Sequence, residues 1–364
     1  MGKRNRTGVS RFNFQADSNL LTLKKQLLST EYKPGKHRLF YVYDPKFRLI
    51  SAPPFVDRIV HHAICQVIEP VFDKSFIEDS YACRKNKGAH KAIKRLQMFL
   101  RKTKTNYALK CDISKYFAHI DHDILFDLLK KKISDPPTLE LLKKIIDSYP
   151  EGIPIGNLTS QLFANIYLDP LDRYIKQSLR RRYYLRYVDD FLILGDSKED
   201  LKEVLVHITI FLQRFLKLEL HPRKVRLFPT RLGVDFVGYV VFPNHIRLRS
   251  KNVRKFRKKL KKLVIQLETG KIKKQYFESS INSWIGHAIH ADSFRLRQKL
   301  FASPSLQVFF PVPSSVPGKT QIARGIGISA HTPPAKVNAK PVNPRPDQLE
   351  TSPVQLSLFG DWPG

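Results

Sequence analysis

The sequence predicts an α+β fold that is followed by a flexible C-terminal tail. Apolar residues recur at helical spacing in several long segments, and short β-rich runs lie between those segments. Proline becomes frequent near the C-terminus. Of the 364 residues, 42% are hydrophobic and 11% are aromatic, which is enough for a packed core and excludes a chain that is disordered throughout.

The first half of the chain predicts helices separated by one short strand. Helical spacing occurs over residues 57–72 and 88–99, and again over 122–132 and 139–146. Residues 107–113 form a short apolar run that is typical of a strand and ends on a carboxylate.

The second half predicts a helix and then a hairpin. The helix follows residues 152–160, and it has to bend or restart at Pro170 because proline has no N–H to donate within a helix. Residues 183–194 have two β-rich arms, which predict a hairpin with Asp189 and Asp190 at its tip.

The remaining elements are a helix, a strand-like segment and a basic helix. We expect the first helix over residues 198–215 and the strand-like segment over 234–242. Residues 251–269 predict a helix with one apolar stripe and a very basic opposite face. After Phe301 the chain holds 11 of its 24 prolines and few charges, which predicts a flexible extension.

The charge of the chain is the first indication of function. Lys and Arg number 64 against 32 Asp and Glu, so the formal net charge is +32. A globular body this basic is typical of proteins that bind the phosphate backbone of nucleic acids. A highly charged, solvated surface and an anionic membrane surface are the alternatives, but no strongly amphipathic basic helix with exposed aromatic residues supports membrane binding.

The sequence also indicates where the protein works. No stretch reaches the roughly 18 apolar residues of a membrane span, and the N-terminus carries no hydrophobic signal segment. Three cysteines, an odd number without a CxxC pair, argue against a disulfide framework. We therefore expect a reduced, cytoplasmic protein in which Cys65 and Cys111 are small core residues.

Three acids define a candidate metal site. Asp112 ends the first predicted strand, and Asp189 and Asp190 lie between two apolar arms. Adjacent carboxylates repel each other there, and an Asp-Asp pair is a poor choice for a tight hairpin turn. Divalent cations such as Mg²⁺ resolve this repulsion and serve phosphoryl transfer. A solvated acidic turn remains the alternative.

Five segments of the chain, taken in order, resemble reverse transcriptases. They include the hairpin YVDD and a first carboxylate motif that contains HIDH. The segments are SYACRKNKGAHKAI (80–93), KCDISKYFAHIDHDIL (110–125), GIPIGNLTSQLFANIYL (152–168), YVDD (187–190), and LHPRKVRLF with GVDFVGYVV (220–228 and 233–241). Each segment alone is a weak signal, whereas five in the same order are a strong one.

The resemblance implies a right-hand polymerase fold with fingers, palm and thumb. The N-terminal segment and fingers would occupy residues 1–105, with part of the fingers interleaved in the palm. The palm, with its antiparallel sheet and the catalytic motifs, would occupy 106–248. A helical thumb would follow over 249–301, and the Pro-rich flexible tail would be residues 302–364.

The resemblance also implies the roles of the acids. Asp112 and Asp189 would bind two Mg²⁺ ions, with Mn²⁺ as a substitute, and the carbonyl of Ile113 would add a ligand. Asp190 would support the site. The reaction implied is transfer of a nucleotide from a dNTP to a primer 3′-hydroxyl, with pyrophosphate as the leaving group, in a site that supplies positioning and charge.

Further positions match the nucleotide-binding motifs of the family. Phe117 matches the steric gate whose ring clashes with a ribose 2′-hydroxyl, with an ordinary core phenylalanine as the alternative. Arg84 and Lys87 match basic residues that grip the triphosphate, although a general RNA-facing charge explains them nearly as well. Lys224 stands where these polymerases carry a lysine near the leaving pyrophosphate.

Ile155 and Gly156 point to one branch of the family. Many reverse transcriptases have glutamine before the motif glycine, whereas this chain has isoleucine. Here the motif reads IGNLTSQ, which resembles the reverse transcriptases of diversity-generating retroelements. Those enzymes copy a template-repeat RNA with errors at adenines to diversify a target gene, and they imply a small, basic accessory variability protein as a partner.

Other branches stay open. If Ile155 is an ordinary core residue, the chain would fit the reverse transcriptase of another bacterial retroelement. That retroelement would either resemble a group II intron or serve phage defence. A catalytically idle RNA-binding scaffold is the rival from a different class, but it predicts decayed acids, and all three acids are present.

The tail contains one short motif. Five residues near the C-terminus resemble the peptide with which bacterial polymerases and repair proteins bind the replication sliding clamp. The motif consists of Gln355, Leu356, Ser357, Leu358 and Phe359. A flexible tether that ends in a short apolar segment fits this use.

Overall fold

The computed structural model of the chain describes residues 7–43, 47–102 and 104–302. The predicted flexible tail and the clamp-like motif Gln355–Phe359 lie outside the described residues. The described chain divides into two units, of which the first ends at Arg249 and the second begins at Ser250.

The first unit mixes helices with short antiparallel strands. Its helices are α1 (Thr7–Phe14), α2 (Ala16–Leu28), α3 (Phe55–Asp73), α4 (Ala89–Leu100), α5 (His122–Lys130), α6 (Pro136–Asp147), α7 (Leu158–Arg173) and α8 (Lys198–Leu216). Its strands are β1 (Arg38–Val42), β2 (Arg48–Ala52), β3 (Tyr107–Asp112), β4 (Tyr184–Tyr187), β5 (Asp190–Gly195), β6 (Arg226–Pro229), β7 (Val234–Phe236), β8 (Tyr239–Val241) and β9 (Ile246–Leu248). The predicted α+β character is confirmed.

Polar side chains fix where α5 and α6 begin. The carboxylate of Asp121 accepts hydrogen bonds from the N–H groups of Asp123 and Ile124, both at 3.0 Å. Asp135 accepts in the same way from the N–H of Thr138 at 3.0 Å. These caps satisfy N–H groups that have no partner within the helix. Both helices were predicted, and both are confirmed.

Helix α7 is the central helix of the first unit. Every residue from Leu162 to Leu168 is buried, so the helix is covered on all sides. It continues without interruption through Pro170 to Arg173 and is followed by a π-helical turn, Tyr174–Ser178. The predicted restart at Pro170 does not occur, because packing on all sides of the helix outweighs the one hydrogen bond that proline removes.

A four-stranded antiparallel sheet with the order β4-β5-β3-β6 carries the acids. Strands β3 and β5 pair over their full length, with Cys111 opposite Phe191 and Asp112 opposite Asp190. The predicted hairpin is confirmed, but its two-residue turn is Val188–Asp189, because Asp190 already belongs to β5.

The main core lies between the helices and one face of this sheet. Side chains from β3 and β5 join apolar residues of α3, α5, α6, α7 and α8 in one buried cluster. Helix α4 packs against β4 and β8. Cys65 and Cys111 are buried, as predicted, whereas Cys83 is exposed.

The β1–β2 hairpin was not predicted. Every residue of β1 is exposed, including Phe40 and Tyr41. A half-buried strand alternates apolar and polar residues, and β1 shows no such alternation because neither of its faces joins the core. Strands β7, β8 and β9 form a separate three-stranded sheet.

The second unit contains α9 (Ser250–Glu268), α10 (Lys274–Ala288) and α11 (Phe294–Phe301). The ring of Phe256 stacks on Trp284 with centroids 3.9 Å apart. The eight Lys and Arg side chains between Lys251 and Lys262 are all exposed. The predicted basic helix is therefore confirmed, with its apolar stripe buried. No helix within the described residues has the length and hydropathy needed to cross a membrane.

A buried polar cluster ties the N-terminal segment to α3. The carboxylate of Asp57, which is 3% exposed, accepts hydrogen bonds from the hydroxyl of Tyr32 at 2.8 Å and from the N–H of Gly35 at 2.9 Å. One helical turn later, His61 is 2% exposed and its Nδ1 has no hydrogen-bond partner. Burial lowers the pKa of His61 to about 4.

This buried histidine makes the stability of the fold pH-dependent. The unfolded chain binds a proton at His61 below about pH 6.5, whereas the folded chain does so only near pH 4, so acid favours unfolding in this window. We expect the free energy of unfolding to fall by about 1.4 kcal/mol per pH unit from this residue alone.

The measurement is urea denaturation at pH 7.5, 6 and 5. His61→Leu should lose this part of the pH dependence, and His207→Leu, at an exposed position of α8, should keep it. Equal pH slopes for the two variants would contradict the assignment.

Candidate active site

The three predicted acids converge at one end of the four-stranded sheet. Asp112 is the last residue of β3, and its register partner Asp190 is the first residue of β5. Asp189 lies in the turn just before, and its carbonyl accepts a hydrogen bond from the N–H of Ile113 at 3.3 Å. The antiparallel pairing of two strands therefore brings together acids that are 77 and 78 residues apart in the sequence.

Burial and mutual repulsion disfavour the charged forms of two of these acids. Burial is the main cause of the raised pKa of Asp189, and the charge of Asp112 adds to it. Burial also raises the pKa of Asp190 to about 6, although the nearby Lys110 opposes the shift. A nearby cation would therefore stabilise the charged forms of these carboxylates.

Two lysines supply part of that positive charge. Lys110 Nζ lies 3.1 Å from Asp190 Oδ2 and also donates to the carbonyl of Asp235 at 2.7 Å. Lys224 Nζ lies 2.5 Å from Asp112 Oδ1. Lys224 is therefore at the acids, and it is held there by Asp112.

The donor atoms at this end of the sheet fit a hard divalent cation. The charge of Asp112 adds to the raised pKa of Asp189, and Asp190 Oδ1 is buried without a hydrogen-bond partner. Ile113 and Leu220 form a β-bridge whose backbone hydrogen bonds are made by the residues next to them. The carbonyl of Ile113 therefore takes no part in this bridge.

The protein supplies only part of a coordination shell. Within the described ranges, no group of three His, Cys, Asp or Glu side chains is arranged to hold a metal ion by itself. Mg²⁺ binds through one or two carboxylates and takes its other ligands from water and substrate phosphates. The residues present fit this mode of binding.

A buried ion pair supports the turn that carries Asp189. Arg186 and Asp172 are both fully buried and form two hydrogen bonds, Nε to Oδ1 at 2.8 Å and Nη2 to Oδ2 at 2.6 Å. Arg186 Nη1 also donates to the carbonyl of Val188 at 3.0 Å. Val188 has a φ of +57°, which is a strained conformation for a β-branched residue.

Arg186 is a residue that the sequence reasoning missed. A single arginine within the apolar strand YYLRY was the available signal, because a charge there is buried and needs a partner. The partner, Asp172, lies on α7 and also accepts from the hydroxyl of Tyr184 at 2.5 Å.

The nucleotide-motif residues lie on two connected segments. Phe117 is half-buried in a 3₁₀ turn, Tyr116–His119, shortly after Asp112. Ile155 is half-buried, and its carbonyl accepts from the N–H of Ser51 in β2 at 3.2 Å. Gly156 has a φ of +117°, and a Cβ there would lie 3.1 Å from Ile50 Cγ2.

Arg84 is engaged in bonds within the protein. Its side chain is 6% exposed, and its Nε lies 2.6 Å from Asp73 Oδ1. Its Nη1 donates to the carbonyls of Ile77 and Ser80 at 2.7 and 3.0 Å. These bonds join Arg84 to the end of α3 and to carbonyls of its own loop, and its contact with a triphosphate stays a prediction.

Lys87 is also engaged within the protein, whereas Arg48 acts on Asp189 through its charge. Lys87 Nζ contacts the carboxylate of Glu78 and donates to its carbonyl at 2.8 Å. Arg48 of β2 is exposed, and its charge lowers the proton affinity of Asp189. Sequence reasoning missed Arg48 because a basic residue in an unpredicted strand carries no local signal.

Comparison with known proteins places these residues in a family context. The family described as reverse transcriptase (RNA-dependent DNA polymerase) matches residues 33–241, which is more than half of the chain. The acids, the 3₁₀ turn and the segment with Ile155 all fall inside this match.

Curated relatives share about a quarter of their residues with the chain. Protein YkfC of Escherichia coli is 27% identical, over 64% of this chain and 74% of the relative. The group II intron-encoded protein LtrA of Lactococcus lactis is 24% identical, over 82% of this chain and 59% of the relative. The chain thus spans only part of the length of these relatives.

Solved structures of telomerase are also similar. The telomerase of Candida tropicalis in complex with a fragment of telomeric RNA is 14% identical and has a TM-score of 0.49, over 78% of this chain and 58% of that one. Apo telomerase of the same organism has a TM-score of 0.46 and 12% identity, over 64% of this chain and 54% of that one.

Breaking the ion pair between Arg186 and Asp172 should make the protein less stable. Asp172→Asn leaves the buried guanidinium of Arg186 without a counter-charge, and we expect it to lower the free energy of unfolding by about 3–5 kcal/mol. Tyr184→Phe removes only one hydrogen bond to the same carboxylate and should cost about 1 kcal/mol.

Urea denaturation at constant pH measures both changes. The double variant Asp172→Leu/Arg186→Met should recover part of the loss, because no charge then remains buried. An Asp172→Asn protein as stable as Tyr184→Phe would show that the pair does not support the turn.

Proposed function

The chain belongs to the reverse transcriptase family, the RNA-dependent DNA polymerases, and from this premise we propose that Asp112, Asp189 and Asp190 form its polymerisation site. The observation that carries the proposal is the register of β3 with β5, which puts Asp112 opposite Asp190 and beside Asp189. Raised proton affinities and an unpartnered carboxylate oxygen at the same place support it.

The chemistry proposed is transfer of a nucleotide from a dNTP to the primer 3′-hydroxyl. Two Mg²⁺ or Mn²⁺ ions bound by Asp112 and Asp189, with the carbonyl of Ile113 as a further ligand, would supply charge stabilisation for both the attacking and the leaving oxygen. The carboxylate of Asp190 pairs with Lys110 beside the site.

Two further residues act on the incoming nucleotide in this proposal. The ring of Phe117 closes the space that a ribose 2′-hydroxyl would need. Lys224, now paired with Asp112, carries a positive charge to the place where pyrophosphate leaves. Arg48 adds positive charge from β2 on the side of Asp189.

The architecture proposed is a right hand. The fingers would comprise residues 1–105, the palm 106–248 and the thumb 249–301. The four-stranded antiparallel sheet that carries the acids supports the palm, and a separate helical unit that begins at Ser250 supports the thumb.

Template RNA is the proposed macromolecular partner. The net charge of +32 and the exposed basic face of α9 support binding to a phosphate backbone. An RNA/DNA hybrid forms as the copy grows, so the same positive surface serves the product.

We propose a diversity-generating retroelement as the source of the template. The supporting feature is Ile155, whose branched apolar side chain offers no amide to the nascent base pair and so weakens discrimination where pairing is weakest. A small, basic accessory variability protein would then assist in holding the RNA, and the cDNA would carry errors at template adenines.

A retroelement enzyme like those of group II introns is the second candidate. The observation that favours it is that LtrA, a group II intron-encoded protein, matches over 82% of this chain. A phage-defence enzyme would use the same chemistry on a different template.

Two proposals concern the setting of the enzyme. The motif Gln355–Phe359, which lies outside the described residues, would bind the replication sliding clamp. Three free cysteines support a reduced cytoplasm, in a bacterium or a phage-infected cell, as the place of action.

The polymerisation site is tested by Asp189→Asn. Loss of one carboxylate charge should lower the rate of cDNA synthesis at least about 1,000-fold, because charge stabilisation of the transition state is lost. RNA affinity should stay within a few-fold, as measured by filter binding. Asp127→Asn, an acid 65% exposed on α5, is the matched control and should polymerise normally. Polymerisation that survives Asp189→Asn would overturn the metal assignment.

The type of retroelement is tested by sequencing cDNA made from a defined RNA. Errors of the unaltered enzyme should concentrate opposite template adenines, and Ile155→Gln should reduce them about 3-fold or more, because an amide restores a polar contact. Ile210→Gln, at an isoleucine 52% exposed on α8, is the matched control.

Two outcomes of this experiment would redirect the proposal. Evenly spread errors in the unaltered enzyme would favour the second candidate. An error spectrum that Ile155→Gln leaves unchanged would remove Ile155 from the explanation.

A further inference from the structure

The backbone of the proposed gate residue, Phe117, is held by a neighbouring loop. The N–H of Ile153 donates to the carbonyl of Phe117 at 2.7 Å. Gly152 has a φ of +63°, and a Cβ at this position would lie 2.3 Å from the carbonyl oxygen of Phe117 and 2.6 Å from that of Ala118. Only glycine therefore allows the loop to approach the gate turn so closely.

His122 holds this loop from the other side. Its Nε2 lies 2.6 Å from the carbonyl oxygen of Gly152. Because a carbonyl can only accept, Nε2 must carry the proton of this hydrogen bond. Nδ1 lies 3.5 Å from the carboxylate of Asp147, and the imidazole is 19% exposed. The ring is thus fixed between a loop carbonyl and a side chain of α6.

The ring of Phe117 is held from a second direction by Tyr116. The two rings meet edge to face, with centroids 5.6 Å apart. Tyr116 is buried, and its hydroxyl donates to the carbonyl of Ala164 in α7 at 2.5 Å. The gate turn is therefore fixed to α7 through Tyr116 and to the loop through Ile153.

We propose that His122 is a positioning residue for sugar selection, which acts by holding the Gly152–Ile153 loop against the carbonyl of Phe117. The proposal rests on the proposed function, in which Phe117 is the steric gate. A steric gate discriminates only if it does not yield, and functional groups need to be held within about 0.5 Å of their working position. The path from His122 to the gate consists of two hydrogen bonds, one at Gly152 and one at Ile153.

The same loop continues to the base side of the nucleotide site. Two residues after Ile153 comes Ile155, whose carbonyl accepts from the N–H of Ser51 at 3.2 Å. His122 binds the loop just before the hydrogen bond that holds the gate residue, whereas Ser51 binds the loop two residues after that hydrogen bond. Loss of the His122 bond should therefore affect the choice of sugar more than the choice of base.

The test compares two substitutions of His122. Met has a similar length but no donor, whereas the Nε2 of Gln can donate to the same carbonyl. The quantity measured is the ratio of kcat/KM for a dNTP to kcat/KM for the matching rNTP, on a defined RNA template and DNA primer. Inactive protein cancels in this ratio, so partial misfolding does not mimic the effect.

We expect His122→Met to lower this ratio about 5–10-fold, through faster incorporation of the rNTP, as suits the loss of one hydrogen bond. His122→Gln should keep the ratio within about 2-fold of the unaltered enzyme. Phe117→Val, as the reference for an open gate, should lower it about 100-fold. His207→Met, at an exposed histidine of α8, should leave it unchanged.

The outcomes separate the two levels of the proposal. If Phe117→Val lowers the ratio and His122→Met does not, the positioning role of His122 is wrong and the gate assignment stands. If Phe117→Val leaves the ratio unchanged, Phe117 is not the gate and the inference fails with it. Equal effects of Met and Gln at position 122 would also overturn it, because the donated hydrogen bond would then not matter.

Discussion

The buried pair of Arg186 and Asp172 is the interaction on which the site depends. It supports a turn with a β-branched residue at positive φ, and two adjacent carboxylates lie at the end of this turn and the start of β5; neither feature is favourable by itself. The guanidinium binds Asp172 on α7 and the carbonyl of Val188 in the turn, so it fixes the hairpin to the central helix. The turn can hold its strained shape because the surrounding core determines it from several sides.

Electrostatic balance follows from this geometry. Three acids crowd the end of a sheet, and two lysines from separate strands and loops lie against two of them, Lys110 beside Asp190 and Lys224 beside Asp112. Asp189 has no such salt bridge within the described residues, and its pKa is raised by burial and by Asp112. The site is thus arranged so that an added cation relieves repulsion, which is the physical basis for metal-dependent phosphoryl transfer.

One loop joins the turn that carries Phe117 to strand β2. The segment from Gly152 to Gly156 contacts the turn of Phe117 at its start and strand β2 at its end, before α7 begins. Each of its close approaches requires a glycine at positive φ, because a side chain at either position would meet neighbouring atoms. If Phe117 and Ile155 have their proposed roles, sugar selection and base selection would both depend on the placement of this short stretch of backbone.

The sequence by itself determined the α+β character, most helices, the hairpin and the three acids, because periodicity, turn composition and adjacent carboxylates are local properties. It did not determine features that long-range packing decides. Pro170 stays within a helix because burial on every side outweighs its lost hydrogen bond. Arg84 is bonded to Asp73 at the end of α3, and the charge of Arg48 acts on Asp189. Only the tertiary structure decided which basic residues lie near the acids and that Arg186 pairs with Asp172. The reason is that strand register and helix packing bring together residues that are far apart in the sequence.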